Sequence, residues 1–381
     1  MNFDLDEDLV MIRDMVRDFA ERELVPRAGK FDRQESIDPD VFEKLGELGL
    51  WGLTIPEEYG GSGMGNTALA LVLMELNRAC ASTGVTLSVH NSLLGAPIRR
   101  FGNDAQKAEW LPRLATGEVI GAYCLTEPNA GSDAAALATS AVRVGDEWVI
   151  DGTKTWVTNG GIAGLFIVYA RTDSSASKAR GISAFLVPRD TPGLAVGKHE
   201  KKTGIRGSST TEIVFEGVRI PSANLLGEEN HGFNIAMDTL DGGRIGIAAQ
   251  AVGIGTACLE ASIKYANERE QFGKTIGNFQ AVQWKLSDMS TRIEASRLLT
   301  FKAARLRDSG RRCSLEAAQA KLFASTMANF CADECVQIHG GAGYTDDFHA
   351  ERLFRDARIT EIYEGATDIQ RIVIARQLLS V

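Results

Sequence analysis

Hydrophobic positions along the chain change their period twice. Up to about residue 118 they recur at helical spacing. Met11, Met15, Val16 and Phe19 fall on one predicted face, and Val41, Leu45 and Leu48 on another. Residues 68–74 are apolar on every side, which predicts a helix buried all round. From about 119 to 227 the period falls to that of strands. Residues 142–150 alternate about Gly145-Asp146 and predict a hairpin. Residues 165–170, 182–187 and 212–215 predict further strands, with Pro188, Pro192 and Pro221 as breakers and 174–178 as a polar loop. Short strands without helices between them predict a small antiparallel barrel or sandwich. From about 228 the helical period returns, with long helices predicted over 231–267, 279–309 and 314–339. Gly310 is the expected stop of one and Ser314 the expected N-cap of the next. Long antiparallel helices with short connections predict a bundle. The expected fold is α+β: an N-terminal α-helical domain (1–118), a middle β-barrel domain (119–227) and a C-terminal four-helix bundle (228–381).

Composition narrows the function. The 381 residues suffice for two or three domains, and 44% hydrophobic with 24% charged residues is ordinary for a globular enzyme. A net charge of −9 argues against nucleic acid or an anionic membrane as the main partner. The acidic start differs from basic targeting signals, and no apolar run is expected to approach membrane-spanning length. Six cysteines without a C-x-x-C pair imply a reducing, cytoplasmic-type compartment.

Several segments carry candidate chemistry. In residues 355–371 Glu364 directly precedes Gly365. A turn there sets exposed backbone N–H donors beside an acid–base group, as proton abstraction next to a carbonyl requires. The plain alternative is a helix start capped by Thr367 or Asp368. The loop Tyr-Cys-Leu-Thr-Glu-Pro-Asn-Ala-Gly-Ser-Asp at 123–133 offers backbone donors and the hydroxyls of Thr126 and Ser132 for the edge of a planar heterocycle, or is a structural turn. Trp156 and Thr158, two apart on a strand, share one face, so the indole can cover a ring while the hydroxyl bonds its edge; otherwise Trp156 is a core residue. Two motifs are set aside. Residues 61–65, Gly-Ser-Gly-Met-Gly, lack full G-x-G-x-x-G spacing and a P-loop Lys-Ser/Thr, and read as a connecting loop. Cys331, Cys335 and His339 share one helix face, which does not place three ligands around a tetrahedral metal, and read as buried packing.

These strings, together with Arg-Glu-Gln-Phe-Gly at 269–273, Gln-Ile-His-Gly-Gly-Ala-Gly-Tyr at 337–344, Ile-Tyr-Glu-Gly at 362–365 and Pro-Glu-Glu-Tyr-Gly-Gly at 56–61, occur in order along the whole chain. The chain thereby resembles the acyl-CoA dehydrogenase family, particularly its short-chain, butyryl-type branch. The resemblance implies FAD between the middle and C-terminal domains, with Tyr123, Leu125, Thr126, Trp156 and Thr158 toward the isoalloxazine. Ser132 is expected near the ligand pyrophosphate or pantetheine. Arg269, Phe272 and Gln280 would meet the pyrophosphate and adenine side across a subunit interface. Gln337, Gly340 and Gly341 would approach FAD from a neighbouring subunit of a homotetramer built as a dimer of dimers.

The same resemblance implies the reaction. Glu364 takes the α-proton of an acyl-CoA thioester and the β-hydrogen leaves as hydride to flavin N5, giving a trans-2-enoyl-CoA. The thioester carbonyl is polarised by the Glu364 N–H and a ribityl hydroxyl, and electrons pass on to an electron-transfer flavoprotein. A free glutamate, with a pKa of about 4.3, is too weak a base, so burial by substrate is expected to raise it. Some relatives carry their base on the helix matching residues 240–244, where this chain has Gly243. Asp241 and Arg244 resemble the family's substrate-side residues, with a helix-surface ion pair as the alternative, and Gly365 is expected beside the substrate. Many relatives have Thr directly after Glu-Gly, where this chain has Ala366 followed by Thr367, the residue left to face the cofactor. No arginine in 89–94 pairs a distal carboxylate, which disfavours a glutaryl-type substrate. The expected substrate is a short straight-chain or 2-methyl-branched acyl-CoA. An oxidase or other acceptor variant of the same fold, or a non-catalytic flavin-binding subunit, are the alternatives.

Overall fold

The computed structural model describes residues 5–379. Its first third is helical: α1 (Glu7–Phe19), α2 (Ala28–Gln34), α3 (Pro39–Glu47), α4 (Gly65–Ala79), α5 (Ala81–Ser88), α6 (Ala96–Phe101) and α7 (Asp104–Thr116). The face of α1 that enters the core is Leu9, Ile12, Val16 and Phe19, whereas Met11 and Met15 are exposed. This corrects the expected face. The set 9, 12, 16, 19 forms an unbroken stripe at helical spacing, and positions 11 and 15 lie one residue, about 100°, away from it. Helix α4 is buried on nearly every side, as its uniform apolarity requires.

The middle third is a sheet of β1 (Gly121–Cys124), β2 (Ser140–Val144), β3 (Glu147–Thr158), β4 (Leu165–Arg171), β5 (Ile182–Pro188), β6 (Leu194–His199), β7 (Thr210–Pro221) and β8 (Leu225–Leu226). Its order is β6-β7-β3-β2-β4-β5-β8, with β1 pairing β4. The β2–β3 hairpin turns at Gly145, whose φ of +64° explains the glycine. The expectation of a wholly antiparallel sheet is corrected: β1 and β2 each run parallel to β4. The β2–β3 hairpin lies between β1 and β4 in sequence, and that long crossover lets β4 return alongside β1 in the same direction.

The last third begins with α8 (Gly232–Glu268), followed by the short hairpin β9 (Glu270–Gln271) and β10 (Lys274–Thr275), then α9 (Gln280–Asp308), α10 (Ser314–His339), α11 (Ala350–Arg358) and α12 (Thr367–Leu379). Helix α10 packs on α8, α9, α11 and α12, and α8 also packs along α4. Contrary to expectation, α8 is long and apolar enough to cross a membrane, but 72% of its apolar window is buried inside the protein. Its composition is that of a core helix enclosed by α4, α9 and α10. Ser314 is a further correction: it is the first residue of α10 rather than its N-cap, and its hydroxyl donates to Asp241 Oδ2 (2.5 Å) instead.

The glycine loop at 61–65 spends its N–H groups on its own chain, with Gly61 N–H on Pro56 O, Ser62 on Gly52, Gly63 on Ile55 and Met64 on Leu53. The N-terminus of α4 behind it is filled by Asp308. That carboxylate accepts from Asn66 N (2.6 Å), Thr67 N (2.9 Å), Asn66 Nδ2 (2.9 Å) and Thr67 Oγ1 (2.6 Å). An anion of the chain itself thus occupies the place a phosphate would take. All six cysteines are unpaired and buried, and the His339 ring packs on Tyr265 with its Nδ1 on Cys335 O (2.7 Å).

Candidate active site

Glu364 sits in the turn between α11 and α12. Its φ is +53° and that of Gly365 +90°. A left-handed glutamate is uncommon, and such strain persists only where surroundings hold it. Here Gln370, buried on the first turns of α12, donates from Nε2 to both Glu364 O (3.1 Å) and Gly365 O (2.7 Å). Lys321 of α10, fully buried, donates from Nζ to Gly365 O (2.8 Å). Thr367 turns its hydroxyl back onto Glu361 O (3.1 Å). With both carbonyls of the turn anchored, neither the Glu364 nor the Gly365 N–H makes a backbone hydrogen bond among the described residues.

The carboxylate itself is enclosed and unpartnered at Oε2. Burial pushes its pKa up to about 7, against the opposing pull of Arg244 and Lys321. The surrounding groups come from different elements. Arg244 of α8 is buried and bonds Asp241 Oδ1 (2.7 Å), while its Nε has no partner. The Asp241–Arg244 pair is therefore an interior one, not a helix-surface pair. The Tyr123 hydroxyl, on β1, is pushed well up by burial, then by Tyr169 and Glu364. A Cβ built on Gly243 of α8 would lie 2.6 Å from Glu364 Oε2 and 2.9 Å from Leu93 Cδ2. Position 243 thus faces the same point in space as the Glu364 carboxylate.

The strings at 123–127 and 154–158 are tied together. Thr155 N donates to Thr126 O (2.9 Å), and the buried Lys154 Nζ bonds Leu125 O (3.2 Å) and Glu127 Oε1 (2.7 Å). Glu127 also accepts from Ala138 N (2.6 Å) and Thr139 N (2.9 Å). Leu125 is buried, Thr126 and Thr158 are half-buried, and Ser132 is exposed on the loop beyond. Trp156 is no core residue: it is 60% exposed and its φ is +59°.

Two further groups converge elsewhere. Arg269 ends α8, Phe272, 92% exposed and with φ +55°, tips the β9–β10 hairpin, and Gln280 opens α9. Gln337, Gly340 and Gly341 lie at the end of α10, exposed. Tyr265 in the last turn of α8 stacks on His339 in the last turn of α10 at 4.4 Å, so these two groups meet at one end of the bundle. Arg244 lies 21 residues before Tyr265 on the same continuous helix. At about 1.5 Å per residue that is about 30 Å. One chain therefore holds two clusters at well-separated points: Glu364, Arg244 and Tyr123 in one, Arg269, Phe272 and Gln337 in the other.

The chain as a whole, from the first helices to the last, matches known proteins. Family models match residues 6–118 (acyl-CoA dehydrogenase, N-terminal domain), 122–218 (middle domain) and 230–379 (C-terminal domain). The chain belongs to the acyl-CoA dehydrogenase family. It is 50% identical over 99% of its length to the mouse mitochondrial short-chain specific acyl-CoA dehydrogenase, covering 91% of that protein. Its structure superposes on butyryl-CoA dehydrogenase from Megasphaera elsdenii with a TM-score of 0.98 at 42% identity, covering all of both chains. A chain from a structural study of the electron-transferring flavoprotein of Acidaminococcus fermentans and flavin-based electron bifurcation matches equally well, at TM-score 0.98 and 47% identity over all of both chains.

The sequence strings did not reveal Lys321, Gln370, Lys154 and Glu127, which hold the site from behind. Glu127 lies within the 123–133 string and Lys154 just before Trp156, both among polar neighbours that do not mark them out. Lys321 stands in an ordinary helical pattern and gave no signal either.

Proposed function

We propose that this protein is an FAD-dependent dehydrogenase that converts short straight-chain or 2-methyl-branched acyl-CoA to the trans-2-enoyl-CoA. The enclosed, unpartnered Glu364 Oε2 carries the reading. A carboxylate with a pKa near 7 is a far better base toward a thioester α-carbon than an exposed glutamate, and yet is substantially ionised at neutral pH. The free N–H groups at Glu364 and Gly365 are donors for the thioester oxygen as negative charge develops on it. Arg244, with Nε unpartnered, balances the charge of Glu364 before the proton moves.

The residues fit FAD. Trp156 presents an uncovered indole beside the Leu125–Thr126 backbone, and Thr126 and Thr158 supply hydroxyls at its edge. When bound, FAD supplies the acceptor for the β-hydride. The protein's part is to fix the substrate between Glu364 and that acceptor and to exclude water from the carboxylate. Arg269, Phe272, Gln280, Gln337, Gly340 and Gly341, about 30 Å along α8 from Arg244, serve the FAD of a neighbouring subunit. Such exchange suits a dimer of dimers. An electron-transfer flavoprotein is the proposed electron acceptor, supported by the likeness to the Acidaminococcus chain.

The test is the visible spectrum of the purified protein with anaerobic addition of acyl-CoAs of graded length. Bleaching of the flavin bands by butyryl- or 2-methylbutyryl-CoA, absent in Glu364→Gln, is expected. A flavoprotein that no acyl-CoA bleaches would overturn the substrate assignment.

A further inference from the structure

Lys321 is an unusual residue for its place. It projects from the first third of α10 into the interior, is fully buried, and its Nζ makes a single hydrogen bond, to Gly365 O at 2.8 Å. Burying an ammonium costs several kcal/mol unless charge and hydrogen bonds compensate it. A methionine or leucine fills such a space without that cost. Something must therefore favour a cation at this point. The surrounding charges name it: Glu364 and Glu361 are its nearby carboxylates, and Arg244 is the competing cation. From the side of Glu364, the facing groups are Arg244 on α8, Lys321 on α10 and Tyr123 on β1. Arg244 is already engaged with Asp241, which also takes the Ser314 hydroxyl. Arg244 is still the larger cationic influence on Glu364, and Lys321, with no acid bonded to it, adds the second.

Resting on the base role of Glu364 given above, we propose that Lys321 is a positioning residue for proton abstraction, pinning the Gly365 carbonyl and holding Glu364 ionised before substrate arrives. The two effects share one cause. The ammonium fixes the carbonyl on the inner side of the turn, which leaves the strained peptide presenting its N–H groups outward. It also sets a positive charge near the carboxylate from α10, while Gly243 of α8 contacts the carboxylate itself. Burial drives the Lys321 pKa down to about 8 even with both glutamates opposing, so it remains largely protonated at neutral pH. No proton has to pass between Lys321 and substrate in this role.

The experiment compares the rate of flavin reduction by butyryl-CoA from pH 5.5 to 9 in the holoenzyme and in Lys321→Met, Lys321→Gln and Lys321→Arg. An opposite charge close to a carboxylate lowers its pKa by roughly 1–3 units, so its removal should move the acid limb of the profile upward by about one unit or more. Lys321→Met and Lys321→Gln should both show this shift, with much of the rate recovered at high pH. Lys321→Arg should leave the limb in place. Lys321→Gln keeps a neutral donor one bond shorter and carries the test if the methionine variant does not fold. A uniform loss of rate at every pH, or an unshifted limb in the glutamine variant, would overturn the proposal. If the unmodified protein is not reduced by any acyl-CoA, it is the enzymatic reading that fails, and the two failures are thus distinct.

Discussion

Replacing Gly243 by alanine tests the placement of the base with the smallest possible change. The added methyl would stand 2.6 Å from Glu364 Oε2, where ordinary contact begins at 3.4 Å. The carboxylate must retreat by about 0.8 Å, and Leu93 must give as well. Oε2 is the far end of a flexible side chain, so most of the cost comes from Leu93, and about 1–3 kcal/mol is expected. Catalysis is less forgiving, because about 1 Å of misplacement at a reacting group can cost on the order of 100-fold. A fall of roughly 30- to 100-fold in the rate of flavin reduction by butyryl-CoA is expected, read by anaerobic stopped flow. The flavin content should stay near that of the parent, with the midpoint of thermal unfolding only modestly lower. A Gly243→Ala protein that reduces its flavin at the parent rate would refute the placement of the carboxylate against α8. One that loses flavin or folds poorly would show that position 243 matters for packing instead.

Three other outcomes follow from the same geometry. Glu364 is raised to about 7, so the native state binds its proton more tightly than the unfolded chain does, and its contribution to stability falls as pH rises between about 4.5 and 7. Glu364→Gln should therefore be more stable than the parent at pH 8, by on the order of 2–3 kcal/mol, with the gap closing toward pH 5 in denaturant titrations; equal stability at both pH values would contradict this. Burial alone would raise Glu127, but Lys154, Thr139 and the Ala138 N–H hold it below the ordinary range, while burial pulls Lys154 down. Lys154→Met should strand that carboxylate at a cost of about 3–5 kcal/mol and weaken FAD retention, and adding Glu127→Gln should recover much of the loss; independent, additive losses in the cycle would refute the strut. Asp308→Ala should remove the acceptor that caps α4 from α9 and lower stability by about 2–3 kcal/mol without altering the acyl-chain preference, as thermal unfolding and substrate series would show.

Legibility in the sequence followed the range of the interaction. The long helices were readable because α8, α9 and α10 carry tens of residues in one period, and their observed bounds lie within a residue of the expected ones. The hairpin about Gly145 was readable because two residues decide it. The parallel pairing of β1 with β4 was not, since it depends on how the chain returns after a crossover. Met11 and Met15 misled because a short stripe can be drawn on either of two adjacent faces, and only packing chooses between them.

The candidate site divides along the same line. Trp156, Phe272 and Glu364 stood out as residues in strings, and the structure adds that all three have positive φ, among only seven such non-glycine residues described. That strain is invisible in the letters but points to the same positions, which is why backbone outliers and motif residues together carry more weight than either. Gly243 carries little information as a letter. Its meaning appears only when α8 passes the 364 turn closely enough that one methyl would displace a carboxylate. Lys321 is the converse case, a residue whose type is ordinary for a helix surface and whose position makes it costly. The chemistry of the turn is thus read in Glu-Gly, but its tuning resides in a glycine and a lysine on two other helices, 121 and 43 residues earlier in the chain. A substitution at either one should change the base without replacing it.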